Sequence, residues 1–318
     1  MDKVVLYILI SKFDMLKKFI FLFLTFCLLY MSMMAVAKAF WVTTAPSRLE
    51  RNIIDQDVHT LVIGPSNGEL AWNDSIIPHS LNLCNSGVSL GVSYNSLKWV
   101  MDYNDVQIDT VIVCAGFASF IYYQDKKLPI PKSSEEIFSI LDYDDFLKFY
   151  SKKLSFWERS FTSLPMWWFA SRKLGGGYRY IDREKVNHPQ SYDIINAIIK
   201  SYGGKYGVTE KNLLEKCSYQ ISYLRKIKEY CDDHNMTLII LSTPVYKYHE
   251  VLDDTGYRQL FRKVLGDSAL IADYSRFHLP DLTYYGDLEH TNYKGARYFS
   301  NHIAKEGLKL QYAIDYIK

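Results

Sequence analysis

Short apolar runs alternate with amphipathic segments along most of the chain. Five of these runs have the composition of strands buried in a sheet: residues 61–63, 80–84, 110–116, 237–241 and 269–273. Apolar residues recur at helical spacing between and after them, which predicts helices at residues 90–101, 212–234, 257–265 and 296–303. Strands that alternate with helices predict an α/β fold with a parallel sheet and right-handed crossovers.

The N-terminal part of the chain has the composition of a membrane segment. Residues 19–37 carry no charge and are just long enough to cross a bilayer as a helix. We predict a cytoplasmic N-terminus at 1–18 and a transmembrane anchor or signal segment at 19–41, because the preceding lysines favour the cytoplasmic side. The body of the chain would then be extracytoplasmic, on a single-pass protein of a bacterial-type inner membrane. Signal cleavage after Ala35-Val36-Ala37, giving a secreted or periplasmic protein, is the alternative.

Regular patterning stops between residues 117 and 210. This region contains prolines, glycine runs and the aromatic patch Met166-Trp167-Trp168-Phe169. A compact fold rarely leaves so long a segment without a purpose. We therefore predict one domain at residues 58–318, with an aromatic-rich insertion at about 117–210.

Charge and cysteine content exclude some classes of site. The net charge of +2 gives no electrostatic reason to expect a nucleic-acid partner. The five cysteines lack the spacing of a disulfide framework or a zinc site, so no metal is predicted. Cys84 and Cys114 lie in apolar runs and are expected to be buried and small. A bridge between Cys217 and Cys231 stays open.

A serine follows the first strand in the motif Gly64-Pro65-Ser66-Asn67, where a helix is predicted to begin. Backbone N–H groups in a first helical turn have no acceptor within the helix. Such a turn can expose a nucleophile and stabilise the oxyanion that it generates. Glu69, three residues after Ser66, also fits a capping box, in which the serine only caps the helix. Taken alone, the turn favours the cap.

A second polar motif, Asp287-Leu288-Glu289-His290, lies in the loop before the last predicted helix. On a parallel sheet this loop lies at the same edge as Ser66, the edge where such sheets bind ligands. A serine hydroxyl needs a base to remove its proton, and histidine titrates in the useful range. The imidazole needs an orienting carboxylate, and Asp287 is close enough in sequence to provide one.

Together these motifs resemble the SGNH, or GDSL-type, hydrolase superfamily. Its first block carries a serine after a strand, and its last block carries Asp-x-x-His before the C-terminal helix. The resemblance implies catalytic roles for Ser66, Asp287 and His290. Asn85-Ser86-Gly87 is similar to the second block, which implies that the N–H groups of Gly87 and Ser66 line an oxyanion hole.

Two positions depart from the family pattern. Pro65 stands where the first block usually has aspartate, and Gly116 is followed by Phe117-Ala118-Ser119, so the oxyanion-binding asparagine of the third block is missing. Loss of one such donor typically costs about a hundredfold or more in turnover. Asn67 or Asn85 is the candidate replacement. Hydrolysis of ordinary esters is therefore expected to be weak, while acyl transfer to a bound acceptor remains open.

An anchor followed by an SGNH-like domain resembles the accessory proteins that esterify envelope polymers, such as the D-alanyl transfer protein of teichoic acids. The resemblance implies a three-layer, flavodoxin-like sheet and a serine esterase or O-acyltransferase that needs no cofactor. Its substrate would be an acylated envelope glycan or small ester, and its partner a multi-spanning membrane O-acyltransferase. Gly116, Trp167 and Trp168 are candidate substrate contacts.

Two other functions compete with this hypothesis. A catalytically silent SGNH-like module that binds a glycan or a partner is the alternative, and the missing third-block asparagine supports it. A phosphate-binding flavodoxin-like domain is disfavoured, because no glycine-rich phosphate loop follows the first strand.

Overall fold

The structure is a computed structural model that describes residues 13–33, 36, 57–116, 119–120, 210–246, 255–287 and 289–315. Six strands form one sheet in the order β2-β1-β3-β4-β5-β6. The strands are β1 (Thr60–Ile63), β2 (Ser80–Asn82), β3 (Thr110–Cys114), β4 (Thr237–Ser242), β5 (Leu270–Asp273) and β6 (Gln311–Tyr312). Strands β1 to β5 are parallel, which confirms the predicted α/β fold.

Strand β6 is a correction to the predicted all-parallel sheet, because it pairs antiparallel with β5. It has two residues, Gln311 and Tyr312, and both are exposed. So short and exposed a segment has no hydrophobic periodicity to detect. Only its pairing with β5 makes it a strand.

Seven helices surround the sheet or precede it in the described residues. They are α1 (Phe13–Met33), α2 (Ser66–Glu69), α3 (Leu90–Tyr103), α4 (Glu210–Lys216), α5 (Ser218–Asp233), α6 (Thr255–Leu265) and α7 (Tyr293–Glu306). The single helix predicted at 212–234 is two helices, interrupted at Cys217, whose thiol donates to the carbonyl of Phe120 at 3.1 Å. The interruption lets α4 pack against α6 while α5 packs against α3.

Both faces of the sheet are covered by apolar side chains. Leu61 and Ile63 of β1 belong to a core formed with α3, α4, α5 and α6. Val62 points to the opposite face, where it belongs to a second core that includes Trp72 and Phe299. This alternation explains why β1 and β3, and β4 up to Ser242, are apolar after their first residue: most residues there are buried on one face or the other.

The predicted burial of two cysteines is confirmed. Cys84 and Cys114 are fully buried and unbridged, as expected for small apolar residues. Cys217 and Cys231 are also buried, and neither is in a disulfide, so the bridge between them is not formed.

Helix α1 is long and apolar enough to cross a membrane, and none of its apolar stretch is buried against the rest of the chain. Its described residues, Phe13–Met33, extend ahead of the predicted start at residue 19 and include Lys17 and Lys18. A signal sequence has the same length and composition, so the helix alone is weak support for an anchor. Of the predicted insertion at 117–210, only Ser119, Phe120 and Glu210 lie within the described residues.

Phe299 provides a test of the second core. It is fully buried on α7, so Phe299→Ala should lower the free energy of unfolding by about 3–5 kcal/mol. Asn301, exposed on the same helix, is the matched control, and Asn301→Ala should change it by less than about 0.5 kcal/mol. Urea unfolding of the full chain in detergent, followed by tryptophan fluorescence, measures both. Equal effects of the two substitutions would contradict the packing described here.

Candidate active site

The serine turn places Ser66 immediately after β1. Gly64, with φ +141°, begins the turn, and a Cβ at this position would lie 2.5 Å from the carbonyl oxygen of Cys114. Only glycine allows this approach of the turn to β3. Pro65 then caps α2, and Ser66 is its first residue. The turn therefore presents the Ser66 side chain at the carboxyl edge of the sheet.

The capping-box interpretation of this turn is wrong. Pro65 occupies the cap position and makes no side-chain cap, and Ser66 lies inside the helix. The Ser66 hydroxyl oxygen instead lies 2.7 Å from Nε2 of His290, a residue 224 positions away in the sequence. The Glu69 carboxylate accepts a hydrogen bond from the hydroxyl of Ser86. Neither side chain closes the reciprocal pair of a capping box.

The histidine loop holds its own carboxylate in place. Asp287 Oδ1 accepts hydrogen bonds from the backbone N–H groups of Glu289 at 2.8 Å and His290 at 2.9 Å. Nδ1 of His290 lies 2.8 Å from Oδ1 and 2.9 Å from Oδ2 of Asp287. Because an ionised carboxylate only accepts, Nδ1 carries the proton, and Nε2 of the neutral ring is free to accept from Ser66. This is the tautomer that a general base requires.

The acidic groups around His290 set its charge. Burial disfavours the imidazolium, but the hydrogen bond to Asp287 and its negative charge outweigh burial and raise the pKa of His290 above the ordinary value of 6.5. Glu289 and Glu69 raise it further. Burial would likewise raise the pKa of Asp287, but the hydrogen bond and charge of His290 prevail and lower it. The pair therefore favours an imidazolium beside a carboxylate over two neutral groups.

Hydrogen bonds outside the pair connect the histidine loop to the serine turn. The Asn67 side chain donates to the carbonyl of Glu289 at 3.0 Å, and the Thr291 hydroxyl donates to the carbonyl of Leu70 at 2.5 Å. Two turns into α7, the Ser300 hydroxyl donates to the carbonyl of Ala71 at 3.1 Å. These bonds fix the distance between the two motifs independently of the Ser66–His290 contact.

Buried asparagines bond backbone groups at the end of α2 and at the start of α7. Asn82, fully buried at the end of β2, donates to the carbonyls of Gly68 and Trp72 at the end of α2. Asn292 caps α7, and its oxygen accepts from the backbone N–H of Lys294. Sequence reasoning missed these positioning residues, although a polar residue inside an apolar run, as at Asn82, is a detectable signal.

The other predicted site residues are placed as follows. Gly87 is exposed after β2 with φ +77°, and no atom lies within 4 Å of where a Cβ would be. Asn67 is buried, and its amide nitrogen is engaged by Glu289. Gly116 follows β3 beside open space. Trp167 and Trp168 lie outside the described residues. An oxyanion role for Ser66, Gly87 and Asn67 stays a prediction.

The Asp287–His290 pair can be tested by its effect on titration. Asp287→Asn removes the hydrogen bond to a carboxylate and the negative charge, so the pKa of His290 should fall below its wild-type value. Asp281→Asn is the matched control, because the Asp281 carboxylate lies in the same segment but accepts a hydrogen bond from the hydroxyl of Thr283. NMR of the full chain with labelled histidine measures both, with the His290 signal assigned by its loss in His290→Asn. An unchanged midpoint in Asp287→Asn would contradict the pairing.

Within the part of the chain that is described, no group of three or more side chains has an arrangement that could hold a metal ion. The site consists of a hydroxyl, an imidazole and a carboxylate joined in one hydrogen-bonded series. Such a series can remove a proton from serine. Comparison of the chain with protein families, curated proteins and solved structures gives no match.

Proposed function

We propose that this chain is a membrane-anchored, extracytoplasmic serine esterase or O-acyltransferase of the SGNH type, acting on acyl esters of a cell-envelope glycan. One observation carries the proposal: Ser66, His290 and Asp287 form a hydrogen-bonded series with distances of 2.7 and 2.8 Å. A nucleophile, a base and an orienting carboxylate in this order are the requirement for acyl transfer through a serine ester.

The fold assignment that belongs to this proposal is a three-layer, flavodoxin-like domain. The order 2-1-3-4-5 of the five parallel strands supports it, because this is the order of the flavodoxin-like sheet. The two cores on opposite faces of the sheet support three layers. Ser66 and His290 both lie in segments that follow the carboxyl ends of strands, where such sheets bind ligands.

In the first half of the reaction, the Ser66 oxygen attacks the ester carbonyl carbon while Nε2 of His290 takes the hydroxyl proton. The carbonyl oxygen becomes an oxyanion, which the N–H groups of Ser66 and Gly87 would stabilise. When the tetrahedral intermediate collapses, the bond to the leaving alcohol breaks and His290 returns its proton to that alcohol. The acyl group is then esterified to Ser66, and Asp287 has stabilised the imidazolium between the two proton transfers.

The second half repeats these steps with a different attacking group. A hydroxyl of water or of a glycan gives its proton to His290 and attacks the acyl carbon, and Ser66 recovers the proton as it leaves. Water gives hydrolysis and a glycan hydroxyl gives transfer. Ser66, His290 and Asp287 have the same roles in hydrolysis and in transfer.

Helix α1 is the basis for placing the domain at a membrane. A helix that can span the bilayer supports attachment of the domain to a membrane surface. The resemblance to accessory proteins that esterify envelope polymers adds the partner that we propose, a multi-spanning membrane O-acyltransferase.

A catalytically silent glycan- or partner-binding module is the second candidate. Ala118 occupies the position of the third-block asparagine, which removes one expected oxyanion donor. The geometry of Ser66 and His290 favours the enzyme, because a binding module has no need of a serine hydroxyl aligned with a base.

A fluorophosphonate probe tests the nucleophile. The Ser66 oxygen should displace fluoride from phosphorus and form a stable adduct, since His290 takes the proton. Ser66→Ala should abolish the adduct, and His290→Ala should slow its formation by about three orders of magnitude or more. Mass spectrometry of the intact full chain in detergent measures the adduct. Ser222→Ala is the control, because the Ser222 hydroxyl donates to the carbonyl of Tyr219 in the same helix. This variant should label like the wild type. An adduct that survives Ser66→Ala would contradict the proposal.

Turnover of an acetyl ester separates the enzyme from the silent module. Release of 4-nitrophenol from its acetate should be slow, and it should rise with pH because only neutral His290 accepts the serine proton. Since the pKa of His290 is raised, the midpoint of this rise should lie above 6.5. Turnover that is absent, or that persists in His290→Ala, would favour the binding module.

A further inference from the structure

The catalytic machinery described so far leaves one buried acidic group without a role. Glu69, the last residue of α2, is only 5% exposed. Its carboxylate accepts a hydrogen bond from the hydroxyl of Ser86. Ser86 immediately precedes Gly87, the glycine proposed to bind the oxyanion. Glu69 therefore joins the helix that carries the nucleophile to the loop that carries an oxyanion donor.

We propose that Glu69 is a positioning residue of this site, which anchors the 85–87 loop to the serine turn through Ser86 and stabilises the imidazolium of His290 by its charge. The inference rests on the proposed acyl-transfer function and deepens it. Glu69 itself does not touch the reacting atoms; it acts through Gly87 on one side and through His290 on the other.

The anchoring role follows from where Ser86 lies in the loop. The backbone N–H of Asn85 donates to the carbonyl of Gly64 at 3.0 Å and holds the start of the loop to the serine turn, and the Ser86 hydroxyl holds the loop one residue further on, next to Gly87. Gly87 is exposed, has a φ of +77°, and has open space around its Cα. An oxyanion donor must be held in place before the reaction, because a mobile donor loses most of its stabilising effect. The bond between Ser86 and the buried carboxylate is charge-assisted, hence stronger than a bond between neutral groups. It holds the residue that directly precedes Gly87 to the helix that carries Ser66.

The electrostatic role follows from the charges that surround His290. Asp287 and Glu289 act on the ring from its own loop. The Ser66 hydroxyl lies 2.7 Å from the ring, and the buried Glu69 lies one turn after Ser66 on the same helix, so it acts on the ring from the serine helix. The thiol of Cys84 also interacts with Glu69; burial and the neighbouring Cys114 raise the pKa of this thiol, so it stays neutral. During acyl transfer His290 becomes positively charged, and a fixed negative charge nearby stabilises that state. Glu69 supplies such a charge from outside the histidine loop.

Three variants of the full chain in detergent separate the two roles. Glu69→Gln removes the charge and keeps an oxygen that can accept from Ser86. Ser86→Ala removes the tether and keeps the charge. Glu215→Gln, at an exposed position on α4, is the matched control. For each variant we measure the rate of fluorophosphonate labelling of Ser66 across pH, the midpoint of His290 titration by NMR, and the thermal unfolding midpoint.

The proposal predicts a distinct pattern for each variant. Ser86→Ala should slow labelling by about tenfold or more, less than the roughly hundredfold cost of deleting an oxyanion donor, with the pH midpoint unchanged. Glu69→Gln should move both the labelling midpoint and the His290 midpoint to lower pH. Glu215→Gln should match the wild type in every measurement. A purely structural role would lower the unfolding midpoint and leave both pH midpoints unmoved, which would overturn the assignment.

Failure of the proposed function is distinguishable from failure of this inference. A folded wild-type chain that takes no phosphonate rejects the acyl-transfer function. In that case a His290 midpoint lowered by Glu69→Gln still supports the action of Glu69 on the ring, and an unmoved midpoint overturns it. If the wild type is labelled and Glu69→Gln is labelled at the same rate with the same midpoint, the function stands and the role of Glu69 is rejected.

Discussion

The hydrogen bond between the Ser66 hydroxyl and Nε2 of His290 joins two segments that are 224 residues apart. A contact of 2.7 Å over this separation cannot be maintained by the two side chains alone, because ordering two distant loops has a large entropic cost. Asn67, Thr291 and Ser300 share that task by bonding across the same boundary. The alignment of nucleophile and base is therefore a property of the interface between α2 and the start of α7.

Three carboxylates, those of Asp287, Glu289 and Glu69, raise the pKa of one imidazole. Asp287 is bound by two backbone N–H groups of its own loop, which offset the cost of keeping a carboxylate in a partly buried position. Glu69 is more deeply buried and is bound by Ser86. These charges lie near His290 in the absence of substrate, and they favour the cation that the proposed acyl transfer forms there. Preparation of this kind is the main electrostatic source of catalysis, since the protein need not reorganise during the reaction.

The parallel sheet explains why these groups meet at one edge. Each strand from β1 to β5 runs in the same direction, so the segments after β1, β2, β3 and β5 all begin on the same side. These four positions are occupied by Ser66, Gly87, Gly116 and the histidine loop. Two apolar cores hold the strands from opposite faces, which makes the edge a rigid support for polar loops.

Hydrophobic patterning by itself determined the strands, most of the helices and the α/β class, because buried strands between two cores have to be apolar along their whole length. The interruption at Cys217 and the short strand β6 could not be predicted, since neither changes the local pattern; each depends on contacts with distant elements. The serine turn shows the same limit. Its sequence fits a helix cap as well as an exposed hydroxyl. Whether Ser66 caps the helix was decided by His290, on a loop beyond the last parallel strand, which bonds the hydroxyl instead. Tertiary structure decided it, because a hydroxyl bonds to whichever partner the fold brings within reach.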